Sequence, residues 1–237
     1  MTFIAHGRTV PFENGWAWIA SAWSIFKRAA GIWIGMIIVL LLIYVGLGIV
    51  PIAGAIATIV AGPVFTGGLM LASRTIDEGG EPQLPQLFGG FKHRFGTLVG
   101  VGVLYLVGMA AIVLIVGLIS GASVFTVLKA TSPEQVMAAG ATLLLAALIF
   151  LALLMPLLMA LWFAPPLVVF HELGAVEAMK ASFAGCLRNM LPFLLYGIVL
   201  FIASIVASIP VMLGWLVLGP VMAASIYTSY RDIYFSA

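Results

Sequence analysis

The chain has 237 residues, of which 64% are hydrophobic and only 8% are charged, and its formal net charge is +2. A soluble domain carries roughly 25% charged residues, so this composition excludes an ordinary water-soluble fold. The small net charge gives no reason to expect a nucleic-acid partner. The single cysteine, Cys186, excludes an internal disulfide framework. We therefore expect an integral membrane protein whose main solvent is lipid.

The first 28 residues contain four charged side chains and no continuous apolar core. A cleavable signal peptide needs such a core, so none is predicted here. We expect the first membrane span to direct insertion instead.

Uncharged runs along the chain predict six membrane-spanning helices. Residues 29–73 and 189–230 contain no Asp, Glu, Lys or Arg, and each run is long enough for two spans of about 20 residues. Residues 95–128 and 135–171 each have room for one span. Helices are predicted rather than strands because the runs show no period-two alternation. The predicted spans cover residues 30–50, 52–73, 97–119, 139–162, 191–209 and 212–230.

The distribution of Lys and Arg predicts the orientation of these spans. Cytoplasmic loops of membrane proteins carry an excess of basic residues. If the N-terminus is cytoplasmic, Lys129 is the only basic residue in an outer connection. The predicted inner segments then hold Arg8, Lys27, Arg28, Arg74, Lys92, Arg94, Lys180, Arg188 and Arg231. We therefore predict a membrane protein with both termini in the cytoplasm.

Three short amphipathic stretches precede the odd-numbered spans on the predicted cytoplasmic side. Two of them, residues 83–95 and 175–190, have clean apolar stripes and are expected to form helices in the membrane interface. In the first stretch, Trp18 and Ile25 fall behind the stripe, so that helix is expected to be sandwiched between lipid and protein. The predicted interfacial anchors are Trp16, Trp18, Trp23, Phe88, Phe91 and Phe183.

These stretches also predict an internal repeat of three units, at residues 12–77, 83–173 and 174–233. In each unit an aromatic residue precedes a basic or titratable residue by five positions: Trp23 and Arg28, Phe88 and His93, Phe183 and Arg188. Pro63 and Pro220 each stand eleven positions before an arginine. A repeat that always starts inside predicts a pseudo-threefold axis along the membrane normal.

Proline and glycine are the most informative residues inside the predicted even-numbered spans. Proline frees a backbone carbonyl and kinks a helix, and such kinks in matching repeats can border a substrate path. Glycines equally let helices pack closely, as in Gly96-x-x-x-Gly100 and Gly117-x-x-x-Gly121. The candidate kink or substrate-path positions are Pro63, Gly67, Gly68, Pro165, Pro166 and Pro220.

The sequence contains few residues in arrangements that would support catalysis, metal binding or ion transport. No Asp, Glu, Lys or Arg lies in the middle of a predicted span, which argues against proton-driven transport and a charge-lined pore. His171-Glu172 near Cys186 has no ligand spacing that supports a metal site. Hydrolase motifs and phosphate loops are also missing. We predict no catalytic residues, no metal and no cofactor.

Several short segments resemble an uncharacterised family of small proteobacterial membrane proteins. They are Gly15-Trp16-Ala17-Trp18-Ile19, Trp23-Ser24-Ile25-Phe26-Lys27-Arg28, Pro63-Val64-Phe65-Thr66-Gly67-Gly68-Leu69-Met70 and Leu87-Phe88-Gly89-Gly90-Phe91. The resemblance covers mainly the first 100 residues. It departs at Ala29-Ala30-Gly31, where that family commonly has a proline. The resemblance implies a location in the bacterial inner membrane and six spans, and it implies no activity.

The sequence leaves two functions open. The first is a non-catalytic accessory, assembly or scaffolding subunit that packs against another membrane complex or against itself. The alternative is a carrier or flippase for a lipid or a small neutral solute, using the proline-kinked even helices. An intramembrane enzyme ranks below both, because no titratable pair is buried in a predicted span.

Overall fold

The computed structural model describes residues 2–129 and 132–236 as an all-helical protein, with no β-strand among them. A 3₁₀-helix, Leu84–Phe88, precedes α4. The α-helices are α1 Asn14–Arg28, α2 Ala30–Gly48, α3 Ala53–Asp77, α4 Gly89–Lys92, α5 Phe95–Lys129, α6 Pro133–Trp162, α7 Ala164–His171, α8 Ala175–Arg188, α9 Met190–Ser208 and α10 Trp215–Tyr234. The all-α class predicted from the sequence is confirmed for these residues.

Five helical segments in the described part of the chain are long and apolar enough to span a membrane. They are Ala30–Gly48, Ala53–Asp77, Phe95–Gly121, Pro133–His171 and Met190–Ser208. The sixth predicted span falls in α10, a helix of 20 residues that is not among the five. Its second half carries the polar run Ser225-Ile226-Tyr227-Thr228-Ser229-Tyr230-Arg231-Asp232, which lowers its mean hydropathy.

Helix α1 has one exposed face and one buried face, as its sequence pattern predicts. Trp16 and Trp23 lie exposed on one face, whereas Trp18, Ile25 and Ala22 are buried on the opposite face. The joint to α2 is a single residue, Ala29, at φ −146° and ψ 44°. This joint turns the chain from α1 directly into the first apolar helix.

The short helix of each predicted unit packs against helices of another unit. α1 packs mainly on α9 and α10, α8 packs mainly on α6 and α7, and the 3₁₀-helix with α4 packs mainly on α3. Glycines permit these close approaches. A Cβ on Gly15 would overlap the Pro192 carbonyl oxygen, and one on Gly90 would overlap the Val64 carbonyl oxygen. Each short helix therefore rests on the hairpin of a different unit.

Helices α5 and α6 form a hairpin much longer than predicted. The sequence predicts an outer loop over residues 121–140, but α5 continues to Lys129 and α6 begins at Pro133. The Ser132 hydroxyl accepts a hydrogen bond from the Gln135 N–H at 3.4 Å and so caps the start of α6. Glycine lowers helix stability by only about 1 kcal/mol, so Gly121 and Gly140 do not end these helices.

Both chain termini lie together at one end of the molecule. The Thr2 and Ser236 hydroxyl oxygens are 3.1 Å apart, and the Ile4 N–H donates to the Tyr234 carbonyl oxygen at 2.9 Å. Residues 2–10 thus run along the end of α10. We call this part of the molecule, formed by residues 2–28, 74–94, 171–189 and 231–236, the polar end.

Candidate functional site

A cleft of about 460 Å³ opens at the polar end between α1 and the final turns of α3 and α10. Its charged lining residues are Arg8, Arg28, Asp77, Arg231 and Asp232. Hydroxyl groups from α1 and α10 complete the polar lining. We call this space the polar cleft. Among the described residues it gathers three guanidinium groups and two carboxylates, so its formal charge is positive.

Asp232 joins three parts of the chain at one side of the polar cleft. Its carboxylate accepts hydrogen bonds from Arg8 Nη2 at 2.9 Å, Asn14 Nδ2 at 2.7 Å and Trp18 Nε1 at 2.8 Å. These donors come from the N-terminal segment and from α1, whereas Asp232 belongs to α10. Because charge-assisted hydrogen bonds are stronger than neutral ones, this carboxylate fixes α1 against α10.

Asp77 joins α3 to α10 in a similar way. It forms an ion pair with Arg231 and accepts a hydrogen bond from the Tyr227 hydroxyl at 3.1 Å. Arg74, one turn earlier on α3, lies over the Phe170 ring at 5.4 Å from its centroid. The C-terminal ends of α3, α7 and α10 are therefore linked by polar and aromatic contacts.

Arg28 differs from the other two arginines of the polar cleft. Its Nη1 donates to the Ile76 carbonyl oxygen at 3.3 Å, and no carboxylate in the described part of the chain forms an ion pair with it. Ser21 and Ser24 precede it on the same face of α1, at spacings that match successive helical turns. This face carries the cleft's unpaired positive charge.

The predicted kink positions are buried by neighbouring helices. Pro63 and Pro220 lie inside α3 and α10, and Pro165 and Pro166 lie in the first turn of α7. All four are buried. α3 packs on both α7 and α10. None of the four lines the polar cleft.

The two predicted glycines of α3 serve close packing. A Cβ on Gly68 would overlap the Leu87 carbonyl oxygen, and one on Gly67 would lie 3.0 Å from a methyl carbon of Val169. The 3₁₀-helix can therefore rest directly on the α3 backbone. This geometry explains why position 68 needs a glycine.

The break between α6 and α7 has a cause that the sequence analysis missed. The Ser182 hydroxyl of α8 accepts a hydrogen bond from the Phe163 N–H at 2.8 Å and donates to the Met159 carbonyl oxygen at 2.6 Å. It thus replaces the helical bond between these two backbone groups. A side chain inserted into the hydrogen-bond ladder is a known cause of kinks. Nothing in the local sequence of α8 marks Ser182 for this role.

The predicted interfacial anchors divide into two groups. Trp16, Trp23, Phe88 and Phe91 are exposed, and Phe183 is half-buried, as residues at a lipid border should be. Trp18 is instead buried, with 2% of its surface exposed. The interpretation of Trp18 as an anchor is corrected, because its indole N–H is taken up by Asp232.

Asn189 and Arg188 attach the N-terminal segment to the joint between α8 and α9. The Asn189 side chain accepts from the Val10 N–H at 2.9 Å and donates to the Arg8 carbonyl oxygen at 2.8 Å. Arg188 donates to the Gly7 carbonyl oxygen at 3.0 Å. The Lys and Arg distribution predicts that these residues lie on one side of the membrane, but it does not predict which backbone groups they bind.

His171 and Cys186, which the sequence analysis weighed as metal ligands, have neighbours other than further potential ligands. His171 Nε2 lies 2.5 Å from the Tyr230 hydroxyl. Burial raises the pKa of the Cys186 thiol to about 12, so the thiol is neutral at physiological pH. Within residues 2–129 and 132–236, no group of three or more potential metal ligands comes together.

Comparison with known proteins supports the conclusion that this is a membrane protein. The chain is similar to a probable inner membrane protein of Burkholderia thailandensis, with 26% identity over 95% of this chain and 92% of that protein. No family model and no solved structure matches the chain. The likeness runs along nearly the whole chain, whereas the sequence motifs are concentrated in the first 100 residues. With its five apolar helices, this is an integral membrane protein.

Proposed function

We propose that the chain crosses the bacterial inner membrane six times, with both termini in the cytoplasm. The contact between Thr2 and Ser236 supports an even number of crossings, since it holds both chain ends on one side. Five helical segments are apolar enough to span, so α10 supplies the sixth crossing. The polar second half of α10 is tolerated because Ser225, Tyr227, Ser229 and Tyr230 are buried, and because the helix packs against α1 and α3.

Cysteine labelling tests this orientation. A cysteine at Ser132 should react with an impermeant maleimide added to intact cells after the outer membrane is permeabilised, and a cysteine at Gln83 only after lysis. The natural Cys186 provides a low background because it is buried and its raised pKa keeps it protonated. The reverse labelling pattern would refute the orientation.

We also propose that the three units are a true repeat around a pseudo-threefold axis. α1 and α8 have 15 and 14 residues, each is followed by a one-residue joint, and α2 and α9 have 19 residues each. The packing of each short helix on a different hairpin supports the same arrangement. α10 is shorter than α3 at its outer end. An experimental structure in which residues 16–74 and 176–231 do not superpose would exclude the repeat.

The function we propose is that of a non-catalytic subunit which associates with another membrane protein or with a second copy through the end of the α5–α6 hairpin. Helix α5 has 35 residues and is therefore about 52 Å long, whereas the hydrocarbon core is about 30 Å thick. The far end of the hairpin thus extends beyond the apolar part of the membrane.

This extending end carries large apolar side chains, and that observation is the main support for the proposal. Val124, Phe125, Val136 and Met137 are all exposed, Phe125 by 68% and Met137 by 78%. All four lie outside the predicted spans 97–119 and 139–162. Val124 and Phe125 also lie beyond the apolar segment Phe95–Gly121, and Val136 and Met137 stand at the start of Pro133–His171, which at 39 residues is longer than one span needs. Apolar side chains exposed together outside lipid usually mark a protein interaction site. We call these four residues the hairpin tip.

A pair of matched variants tests the role of the hairpin tip. Phe125→Ala with Met137→Ala removes apolar surface at the tip, whereas Leu114→Ala with Leu148→Ala removes similarly exposed surface within the predicted spans. The tagged protein is purified from native membranes in a mild detergent, and its mass is measured by native mass spectrometry. We expect a stoichiometric partner or a dimer that only the tip variant loses.

Isolation of a monomer with bound lipid, unchanged in both variants, would instead favour the carrier or flippase. That alternative requires the kinked helices to border a path for the substrate. Pro63, Pro165, Pro166 and Pro220 are all buried by neighbouring helices. Their burial supports a packing role, and we therefore place the carrier second.

A further inference from the structure

One face of α1 is neither buried against another helix nor part of the exposed aromatic face. Trp16 and Trp23 mark the exposed aromatic face, and Trp18 lies on the buried one. Ser21, Ser24 and Arg28 are exposed and share the remaining face, which lines the polar cleft. The hydrogen bonds described for these three side chains are limited to the one from Arg28 to the Ile76 carbonyl oxygen. The face presents two hydroxyl groups and one guanidinium group on successive helical turns.

Arg28 also borders a second cleft of about 450 Å³. That cleft is lined by Ala29 and Ile32 at the start of α2, by Ile76, and by the loop Gly79-Gly80-Glu81-Pro82, whose Glu81 is its one carboxylate among the lining residues. Arg28 is the residue that both clefts share. A group bound at Arg28 could therefore extend from the polar cleft towards the exposed apolar surface of α2, where Ile32 is exposed.

We propose that this face of α1 binds the phosphate group of an anionic phospholipid. Arginine offers planar, paired donors that match phosphate oxygens, and serine hydroxyls add neutral donors. Arg8 and Arg231 are already engaged with Asp232 and Asp77, so their charges are balanced. Arg28 supplies the positive charge that a phosphate would neutralise.

The position of α1 identifies a lipid as the source of the phosphate. Exposed tryptophans occur at the level of lipid head groups, and Trp16 and Trp23 stand on the same helix as the three donors. The second cleft provides a route for the acyl chains from Arg28 to Ile32. A soluble phosphate compound would bind the same donors without needing either feature. The inference does not depend on which partner the hairpin tip binds.

Lipid titration of the purified full-length chain in detergent tests this site. The probe is dihexanoyl phosphatidylglycerol, and native mass spectrometry measures the bound fraction. Arg28→Gln should raise the dissociation constant about tenfold, the effect of losing a charge-assisted hydrogen bond. Lys27→Gln is the matched control, because Lys27 is adjacent and exposed but does not line the cleft. We expect it to change the constant less than about twofold.

A second variant covers the case in which Arg28→Gln does not fold. Ser21→Ala with Ser24→Ala leaves all charges in place and should raise the constant by about threefold to fivefold, as expected for two neutral hydrogen bonds that are partly compensated by water. Dihexanoylglycerol, which lacks the phosphate, should not bind. Equal effects of the Arg28 and Lys27 variants would overturn the proposal. Equally tight binding of glycerol phosphate would overturn the assignment to a lipid.

Discussion

At the polar end, side chains from distant parts of the sequence are joined by buried hydrogen bonds, whereas helices α5 and α6 pack along each other and on α3 and α8. Asn189, Ser182 and Ser229 are buried at or near the polar end. In α6, by contrast, only Ala139 and Ala146 of 30 residues are buried. Different interactions thus hold the helices together in the two regions of the chain.

The difference reflects the solvent around each region. Lipid is as apolar as leucine, so no hydrophobic force drives α5 and α6 together inside the membrane. Shape and close contact must do so. At the polar end water competes for every donor and acceptor, and each buried hydrogen bond contributes about 1 kcal/mol. Substitutions in the two regions should therefore change the free energy of unfolding by different amounts and in different directions.

The largest loss is expected where a short helix of the polar end rests on the α3 backbone. In Gly68→Ala, the new Cβ would overlap the Leu87 carbonyl oxygen, which is backbone and not free to move. Overpacking of this kind costs about 3 kcal/mol at its upper range. The free energy of unfolding, measured by sodium dodecyl sulfate titration in detergent, should fall by that amount.

Gly62→Ala is the matched control on the same helix, because no atom lies within 4 Å of a Cβ there. It should leave the free energy of unfolding unchanged or slightly raised. Equal losses in both variants would mean that the Gly68 contact is not a packing constraint.

A smaller loss is expected when Asp232 is neutralised. Asp232→Asn keeps the size of the side chain but weakens the bonds to Arg8 and to the donors of Asn14 and Trp18. Hydrogen bonds to a charged group contribute about 1.5–3 kcal/mol, so we expect a loss of about 2 kcal/mol in the unfolding free energy.

The comparison for Asp232 is Glu78→Gln, which removes an ion pair exposed on both sides. Glu78 and Arg74 are four residues apart on one helix and are mostly in water. Exposed pairs of this kind contribute about 0.5 kcal/mol or less. If both variants lose the same stability, Asp232 has no special part in joining α1 to α10.

These polar contacts also mark the limit of what the sequence could predict. Hydropathy and the missing charges predicted the helical class and the runs that become α2, α3, α5, α6 and α9. Trp18, which was wrongly predicted to be an interfacial anchor, shows why the contacts of the polar cleft could not be predicted from the sequence. Periodicity tells which residues share a face, but the partner of that face, here Asp232 about 214 positions later, depends on tertiary packing.

The same limit applies to the kink before α7. The prolines at 165 and 166 predicted a break, yet the group that satisfies the freed backbone is Ser182 of another helix. Removing this hydroxyl in Ser182→Ala leaves the Phe163 N–H and the Met159 carbonyl oxygen without that bridge. We expect a loss of about 1 kcal/mol in the unfolding free energy.

Ser204→Ala provides the reference for this substitution. Its hydroxyl donates to the Leu200 carbonyl oxygen of the same helix, which already has a backbone partner. Removing it should change the unfolding free energy by only a few tenths of a kcal/mol. A similar small value for Ser182→Ala would indicate that α6 and α7 straighten and restore their own hydrogen bond.

The smallest effect is expected at Gly117 in the hairpin, and its sign is informative. No atom of the described chain lies within 4 Å of a Cβ built at Gly117 or at Gly121, four residues later. Alanine favours a helix by up to about 1 kcal/mol over glycine, so Gly117→Ala should stabilise the isolated chain by a fraction of that.

The same substitution should weaken association if this glycine face continues the surface of the hairpin tip. Small residues spaced by four positions let two membrane helices approach closely, and an added methyl group on one of them opens that contact. Stability of the monomer and abundance of the complex would then change in opposite directions. Native mass spectrometry of Gly117→Ala measures the complex, and detergent unfolding measures the monomer. If both quantities rise together, the face near Gly117 contacts only lipid, and the association surface is confined to the four residues of the tip.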